Sequence, residues 1–220
     1  KLIEIAPSPA LSETLRARLT DAAVSVAREL KYRSLGTFEF LVDADAQNDA
    51  AAFFFIEANP RLQVEHTVTE EVTGLDLVKA QLEVASGRSL AELKLRQADI
   101  GPPRGYAVQA RVCSEEMNIK GDIRPANGML TAFDAPSGPG VRLDTFVYPG
   151  YEINPHFDSL LAKVVCHSRS NYADAVAKTY RALCEFRIEG VVTNIPLLQN
   201  LLKHPDVASN RVTTRFIEDN

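Results

Sequence analysis

No two cysteines in this 220-residue chain are spaced as a CxxC pair: Cys113, Cys166 and Cys184 stand far apart. That spacing suggests neither a zinc site nor a disulfide framework, and makes reduced thiols in an intracellular compartment the expectation. No apolar stretch reaches the roughly 18 residues that cross a bilayer, and no charged segment followed by an apolar one opens the sequence. Basic residues do not predominate, with 24 Lys and Arg against 29 Asp and Glu and a net charge of -5. This mild acidity argues against nucleic acid or an anionic membrane as the main partner, although a local basic pocket fits within it. The phosphate loop GxxxxGK[ST], the dinucleotide fingerprint GxGxxG, the elbow GxSxG and the zinc motif HExxH are all absent. The PSGPG stretch at 136–140 reads as a turn. There is no initiator Met, and KLIEIAPSP reads as a strand end entering a loop, as in a fragment whose upstream partner is missing.

What is there is an ordinary balance, 45% hydrophobic and 24% charged, long enough to bury a core. Ser12 is placed to cap a helix to about Leu30, with Leu15, Leu19, Ala22, Ala23, Val26, Ala27 and Leu30 forming its sheet-packing stripe. Residues 37–42 alternate as a strand with Thr37, Glu39 and Leu41 on one face, and 53–57 is a second. The polar connection 43–50 can reverse the chain and lay the two strands antiparallel. Short helices follow, 68–72 stopped near Gly74, then Leu77 to Ala85 with Asp76 as cap and Leu77, Val78, Gln81, Leu82 and Ala85 buried.

The GPPRG stretch at 101–105 marks a boundary. Beyond it, 106–112, 128–133, 141–147 and 160–166 read as strands. A helix from Asn171 or Tyr172 to about Phe186 turns Ala175, Val176, Thr179, Ala182 and Leu183 inward, and Asn194 caps another to Leu202. The fold class expected is α+β, mostly antiparallel, in two domains at 1–98 and 104–220.

The chemistry concentrates in 53–70, FFFIEANPRLQVEHTVTE. Polar side chains recur there at every second position, Glu57, Asn59, Arg61, Gln63 and Glu65, which an extended backbone places on one face. Glu39 would lie across from Glu57, and two carboxylates that close repel unless a cation sits between them. Mg2+ takes such oxygen ligands, commonly one or two carboxylates plus substrate phosphates. Arg61 offers a fork for a planar oxyanion such as bicarbonate, carboxylate or phosphate, and Glu65 is near enough in sequence to take a proton from it. Arg142 could stabilise a developing oxyanion. Plainer readings stand beside these: an edge strand and polar loop for 53–70, solvated strand positions for Glu39, Glu57 and Arg142, and a buried, hydrogen-bonded histidine for His66.

The run FIEANPRLQVEHTVTEEVTG resembles the signature of biotin carboxylase, the ATP-grasp component of biotin-dependent carboxylases. GTFEF resembles the family's first metal-binding strand, and GVRLD the strand bearing its biotin-site arginine. FDSLLAKV and EFRIEGVVTNIPLLQNLL, with TTRFIEDN, are similar to its C-terminal region and closest in wording to the pyruvate carboxylase branch. Carbamoyl-phosphate synthase is related, but RLQVEH fits it less well.

The resemblance implies the C-terminal part of an ATP-grasp domain followed by the biotin carboxylase C-terminal domain. It implies two Mg2+ or Mn2+ ions on Glu39 and Glu57, with Asn59 in the same metal and phosphate corner. Bicarbonate would be held by Arg61, Gln63 and Val64, and Glu65 would be the general base. Arg142 would steady the biotin enolate. Lys1 coincides with the lysine closing the family's Gln-Arg-Arg-His-Gln-Lys run, near ATP phosphate and bicarbonate; its alternative is an ordinary flexible terminus. ATP would phosphorylate bicarbonate to carboxyphosphate, whose CO2 passes to biotin on a separate carrier domain.

Expected partners are the N-terminal half of biotin carboxylase, the carrier and carboxyltransferase domains, and a second copy in a homodimer. The compartment would be bacterial cytoplasm or mitochondrial matrix. Without the N-terminal half and its glycine-rich lid, the isolated chain is expected to show no turnover. The alternative is a structural and dimerisation module of an acyl-CoA or urea carboxylase.

Overall fold

Residues 106–113, which alternate in part, and 160–168, a mostly apolar run, become the two central strands of a four-stranded antiparallel sheet. The structure, a computed structural model, describes residues 1–43, 49–118 and 121–219. Its first half runs β1 (Ile3–Ala6), α1 (Glu13–Glu29), β2 (Thr37–Val42), β3 (Phe53–Asn59), α2 (His66–Thr73) and α3 (Leu77–Ala85). Then follow β4 (Tyr106–Cys113), β5 (Glu115–Met117), β6 (Ile123–Pro125), β7 (Gly128–Met129), β8 (Ala132–Asp134), β9 (Val141–Thr145), β10 (Glu152–Ile153) and β11 (Leu160–Ser168). The chain closes with α4 (Tyr172–Glu185), β12 (Arg187–Glu189), α5 (Ile195–Lys203), α6 (Pro205–Ala208) and α7 (Phe216–Asp219). Every strand pairing among the described residues is antiparallel, and the fold is α+β. The expected reversal at 43–50 lies mostly outside the described residues.

The structure divides into two compact units, Lys1–Pro7 with Arg104–Val212, and Ser8–Pro103 with Thr213–Asn220. In the first, the sheet order is β1-β4-β11-β9. Strand β1 pairs with β4 from Ile3 opposite Ala110 to Ala6 opposite Ala107, so the opening strand belongs to the same sheet as residues 101 to 107 positions on. One face carries Val108, Ala110, Val112, Ala162, Val164 and Cys166, packed under α4 and α5. All five residues expected to point inward from α4, Ala175, Val176, Thr179, Ala182 and Leu183, are buried. Asn171 caps that helix, its side-chain oxygen accepting from the Asp174 N–H at 2.9 Å.

Asn194 precedes α5 as expected but does not cap it with its side chain. Pro196, the second helical residue, has no N–H for a cap to accept. The amide turns to β4 instead, accepting from the Cys113 N–H at 2.9 Å and donating to the Arg111 carbonyl at 3.0 Å. The single strand expected at 128–133 is also two. Gly128–Met129 pairs with β10 and Ala132–Asp134 with β12, the backbone changing partners between them. Gly190 makes this possible: at φ 91° it lies against the Met129 carbonyl, where any Cβ would collide.

Burial pushes the thiols of Cys113 and Cys166 up to about 11, Glu115 adding to the effect at Cys113, while Cys184 is exposed. The thiolate is the nucleophile, so at pH 8 the two buried thiols stay protonated. Iodoacetamide treatment of the native protein followed by peptide mass spectrometry is expected to label Cys184 and leave Cys113 and Cys166 unmodified until denaturant is added. Equal labelling of all three would contradict this burial.

In the second unit, Ser12 caps α1 by accepting from the Leu15 N–H at 3.1 Å. Its expected stripe is only partly covered. Leu15 is buried, Leu19, Ala22, Ala23 and Ala27 are half-buried, and Val26 and Leu30 are exposed. Helix α3 has the expected bounds and Asp76 cap, but none of its residues is buried, and Val78 and Leu82 are exposed. The reason is the small amount of sheet in this unit: β2 and β3 form a two-stranded ribbon, too little surface to cover two helices.

Candidate functional site

Strands β2 and β3 place Glu39 directly opposite Glu57. The register shifts beside that pair, Phe40 facing Phe55, so that Ile56 is an extra residue on β3. This bulge lets Phe53 and Phe55 pack edge-on against Phe40, with ring centroids 5.6 and 5.9 Å away, while Glu57 still faces Glu39. Asn59 bridges the carboxylates, its Nδ2 donating to Glu57 Oε1 at 2.7 Å and Glu39 Oε1 at 3.2 Å.

The row of five does not continue on one face. Strand β3 ends at Asn59, because Pro60 has no N–H for a ladder, and the Arg61 N–H turns back to the Asn59 carbonyl at 2.8 Å. The bend leaves Arg61 exposed, its guanidinium on the Leu62 carbonyl, and sends Gln63 inward to 5% exposure. Gln63 Nε2 then donates to Glu39 Oε1 at 2.8 Å. Glu39, Glu57, Asn59 and Gln63 thus form one cluster, reached through a turn where extended geometry had been expected.

Val64 and Glu65 occupy the turn that starts α2, both half-buried. Glu65 is the N-cap residue, yet its carboxylate makes no capping hydrogen bond. His66 takes the structural role: its Nδ1 lies 2.8 Å from the Gln63 carbonyl, and Nε2 faces Glu70 Oε2 at 3.9 Å. With a carbonyl as partner, Nδ1 carries the proton. Glu70, also buried, accepts from the Leu77 N–H at 2.8 Å and ties α2 to α3. Replacing His66 by alanine is expected to cost about 1 kcal/mol and to speed amide exchange across Gln63–His66; a melt and exchange profile identical to the wild type would count against this clamp.

The donors at Glu39 and Glu57 are all oxygen, the chemistry of a hard divalent ion. No group of three or more His, Cys, Asp or Glu that could hold a metal occurs among the described residues. Two carboxylates therefore suit an ion whose remaining positions go to phosphate and water, as Mg2+ prefers, better than a closed protein cage. Gln63 Oε1 is buried with no hydrogen-bond partner, a further oxygen in this corner suited to a cation or a donor.

Arg142 and Lys1 lie in the other unit. Arg142 is on β9, with Nε 2.8 Å from Asp144 Oδ1 and Nη2 3.1 Å from Oδ2. Lys163 on β11 reaches Asp144 Oδ2 at 3.1 Å. Lys1 is exposed, just ahead of β1.

Residues 109–219 match the family described as "Biotin carboxylase C-terminal domain", half of the chain. The chain belongs to the biotin carboxylase family. Residues 1–93 match "Carbamoyl-phosphate synthase L chain, ATP binding domain". Mitochondrial pyruvate carboxylase of Mus musculus is 45% identical over 221 residues, covering 100% of this chain and 18% of that protein. The biotin carboxylase domain of a single-chain bacterial carboxylase superposes with a TM-score of 0.89 at 48% identity, over 100% of this chain and 48% of that one. The biotin carboxylase domain dimer of Hydrogenobacter thermophilus 2-oxoglutarate carboxylase, solved with MgADP, ADP and bicarbonate, gives 0.90 at 37% identity, over 100% and 46%. The chain therefore spans about half of the solved domains and under a fifth of the curated relative's length.

Two side chains beside Arg142 were not anticipated from the sequence. Asp144 stands two residues after Arg142, a same-face spacing that was available to see. Lys163 is a lone charge inside the apolar run LLAKVVC, the kind of buried polar position that signals a partner.

Proposed function

We propose that this chain is the catalytic second half of a biotin carboxylase that uses MgATP and bicarbonate to carboxylate carrier-borne biotin within a larger carboxylase, of pyruvate or a related acceptor. The observation that carries the reading is the cluster of Glu39, Glu57, Asn59 and Gln63, a facing carboxylate pair held in an amide frame. Glu39 and Glu57, with Asn59, would hold Mg2+ or Mn2+. When bound, the ion neutralises phosphate charge and polarises the transferred phosphoryl group.

Gln63, clamped by Glu39 on its side chain and His66 on its carbonyl, fixes the backbone that would meet bicarbonate with Val64 and Arg61. Glu65 would take the bicarbonate proton as the bicarbonate oxygen attacks the terminal phosphorus of ATP, whose bond to the bridging oxygen breaks to release ADP and give carboxyphosphate. Lys1 would add positive charge near phosphate and bicarbonate, and Arg142 would stabilise the biotin enolate as its N1 attacks CO2. The solved relative with MgADP and bicarbonate supports this assignment of substrates.

The second unit exposes Leu41, Phe54, Phe55 and Ile56 on its ribbon and Leu30 and Leu82 on its helices. That apolar surface suits the preceding half of a biotin carboxylase, and the dimer among the solved relatives supports a homodimer of the intact domain. Relatives of bacterial and mitochondrial origin support either bacterial cytoplasm or mitochondrial matrix. The test is ADP release by the intact protein with MgATP, bicarbonate and free biotin. ATP cleavage that depends on both bicarbonate and biotin is expected, and ATP cleavage indifferent to them would overturn the reading.

A further inference from the structure

Along β9, side chains two apart leave the same face of the sheet, so Arg142 and Asp144 are neighbours by backbone geometry alone. They use it fully: Nε and Nη2 of the guanidinium each meet a different oxygen of the carboxylate, at 2.8 and 3.1 Å. Lys163 stands directly opposite Asp144 on β11 and donates to the same carboxylate at 3.1 Å. One carboxylate is thus shared by two cations. Lys163 is only 12% exposed, and Arg142 and Asp144 about a third. Burial alone would raise the Asp144 carboxyl, but hydrogen bonds from Arg142 and Lys163 hold it below its ordinary value. It is therefore ionised throughout the neutral range.

Partly exposed ion pairs contribute little to stability, so stability is a poor reason for two cations to share one carboxylate. What the arrangement does is fix a plane. An arginine on a flexible stem can present its fork in many orientations, and a bidentate carboxylate selects one. Asp144 also screens Arg142 from Lys163, and the trio keeps one net positive charge.

We propose that Asp144, itself braced by Lys163, is the positioning residue for Arg142 in the carboxylation of biotin, holding the Nε–Nη2 edge so that the guanidinium meets the developing ureido oxyanion in a single orientation. This rests on the reading that Arg142 serves biotin. Misplacing a group by about 1 Å can cost about 100-fold in rate. In the intact carboxylase, Asp144→Asn keeps the shape but loses the charge that grips the fork. It is expected to lower kcat for free biotin by about 10- to 100-fold while the KM for MgATP stays within about twofold of wild type. Asp144→Glu, which keeps the bidentate charge, is expected to recover most of that loss.

Arg142→Ala, measured alongside, separates the two claims. If Arg142→Ala is inactive while Asp144→Asn matches wild type, the positioning role is overturned and the reading of Arg142 survives. If Arg142→Ala turns over biotin like wild type, the reading of Arg142 itself fails. A loss in Asp144→Asn that raises the KM for MgATP equally and is not recovered by Asp144→Glu would mark general damage and also overturn the proposal.

Discussion

Replacing Glu57 by glutamine in the intact carboxylase is expected to lower kcat/KM for MgATP by about a thousandfold while making the metal-free protein slightly more stable. The two effects have one cause. Glu57 faces Glu39 across the β2–β3 pair, with the Asn59 amide donating to both. Like charges directly opposite on neighbouring strands are destabilising, by up to about 1 kcal/mol. A bound divalent ion reverses that sign, turning mutual repulsion into shared attraction. Removing one charge therefore relieves strain when no metal is present and removes several kcal/mol of stabilisation when the phosphoryl group transfers.

Glu39→Gln should behave alike, with an added cost, since Gln63 Nε2 donates to Glu39 Oε1 and would lose a charge-assisted bond. The check is a pair of thermal melts, without metal and with excess MgADP, beside steady-state kinetics. Wild type should gain stability from MgADP and Glu57→Gln should gain little. A Glu57→Gln protein that melts lower without metal, yet keeps the full MgADP shift, would show the pair to be structural.

How far the sequence reached is clearest at this same pair. Alternation in 37–42 and an apolar run at 53–57 were enough to place Glu39 beside Glu57, because the faces of a strand follow from period two. The bulge at Ile56 was not legible, since an extra residue in a ladder depends on how the phenylalanines pack against Phe40. Nor was the return of Gln63, which needs the bend after Pro60. Extrapolating period two through a proline joined residues that the backbone separates. The inward positions of α4 were readable because a full sheet lies beneath that helix, and the faces of α1 and α3 were misread because almost none lies beneath them. Helical periodicity reports which face could be buried; how much is buried depends on what stands opposite. The family motif named Arg142, but the grip of Asp144 and Lys163 on it required the register of β9 on β11.

Glu65→Gln is the substitution expected to cost most in rate and least in stability. A carboxylate at a helix N-cap ordinarily accepts from the N–H groups of the first turn, and losing such a cap costs about 1 kcal/mol. Glu65 holds that position on α2 without making that bond. The clamping is done one residue on, by His66 on the Gln63 carbonyl. A neutral isostere at 65 therefore leaves the helix start intact, and the thermal midpoint should move by no more than a degree or two. Glutamine cannot take a proton, however, and loss of a positioned general base costs about 100- to 10,000-fold in turnover. The loss should fall on bicarbonate-dependent ADP release, with MgADP binding retained, because Glu39 and Glu57 are untouched. This contrast separates base from structure: His66→Ala should lower the melt and loosen the turn, whereas Glu65→Gln should leave both alone and stop the chemistry. Turnover of Glu65→Gln within tenfold of wild type would remove Glu65 from the mechanism and leave bicarbonate deprotonation to another group.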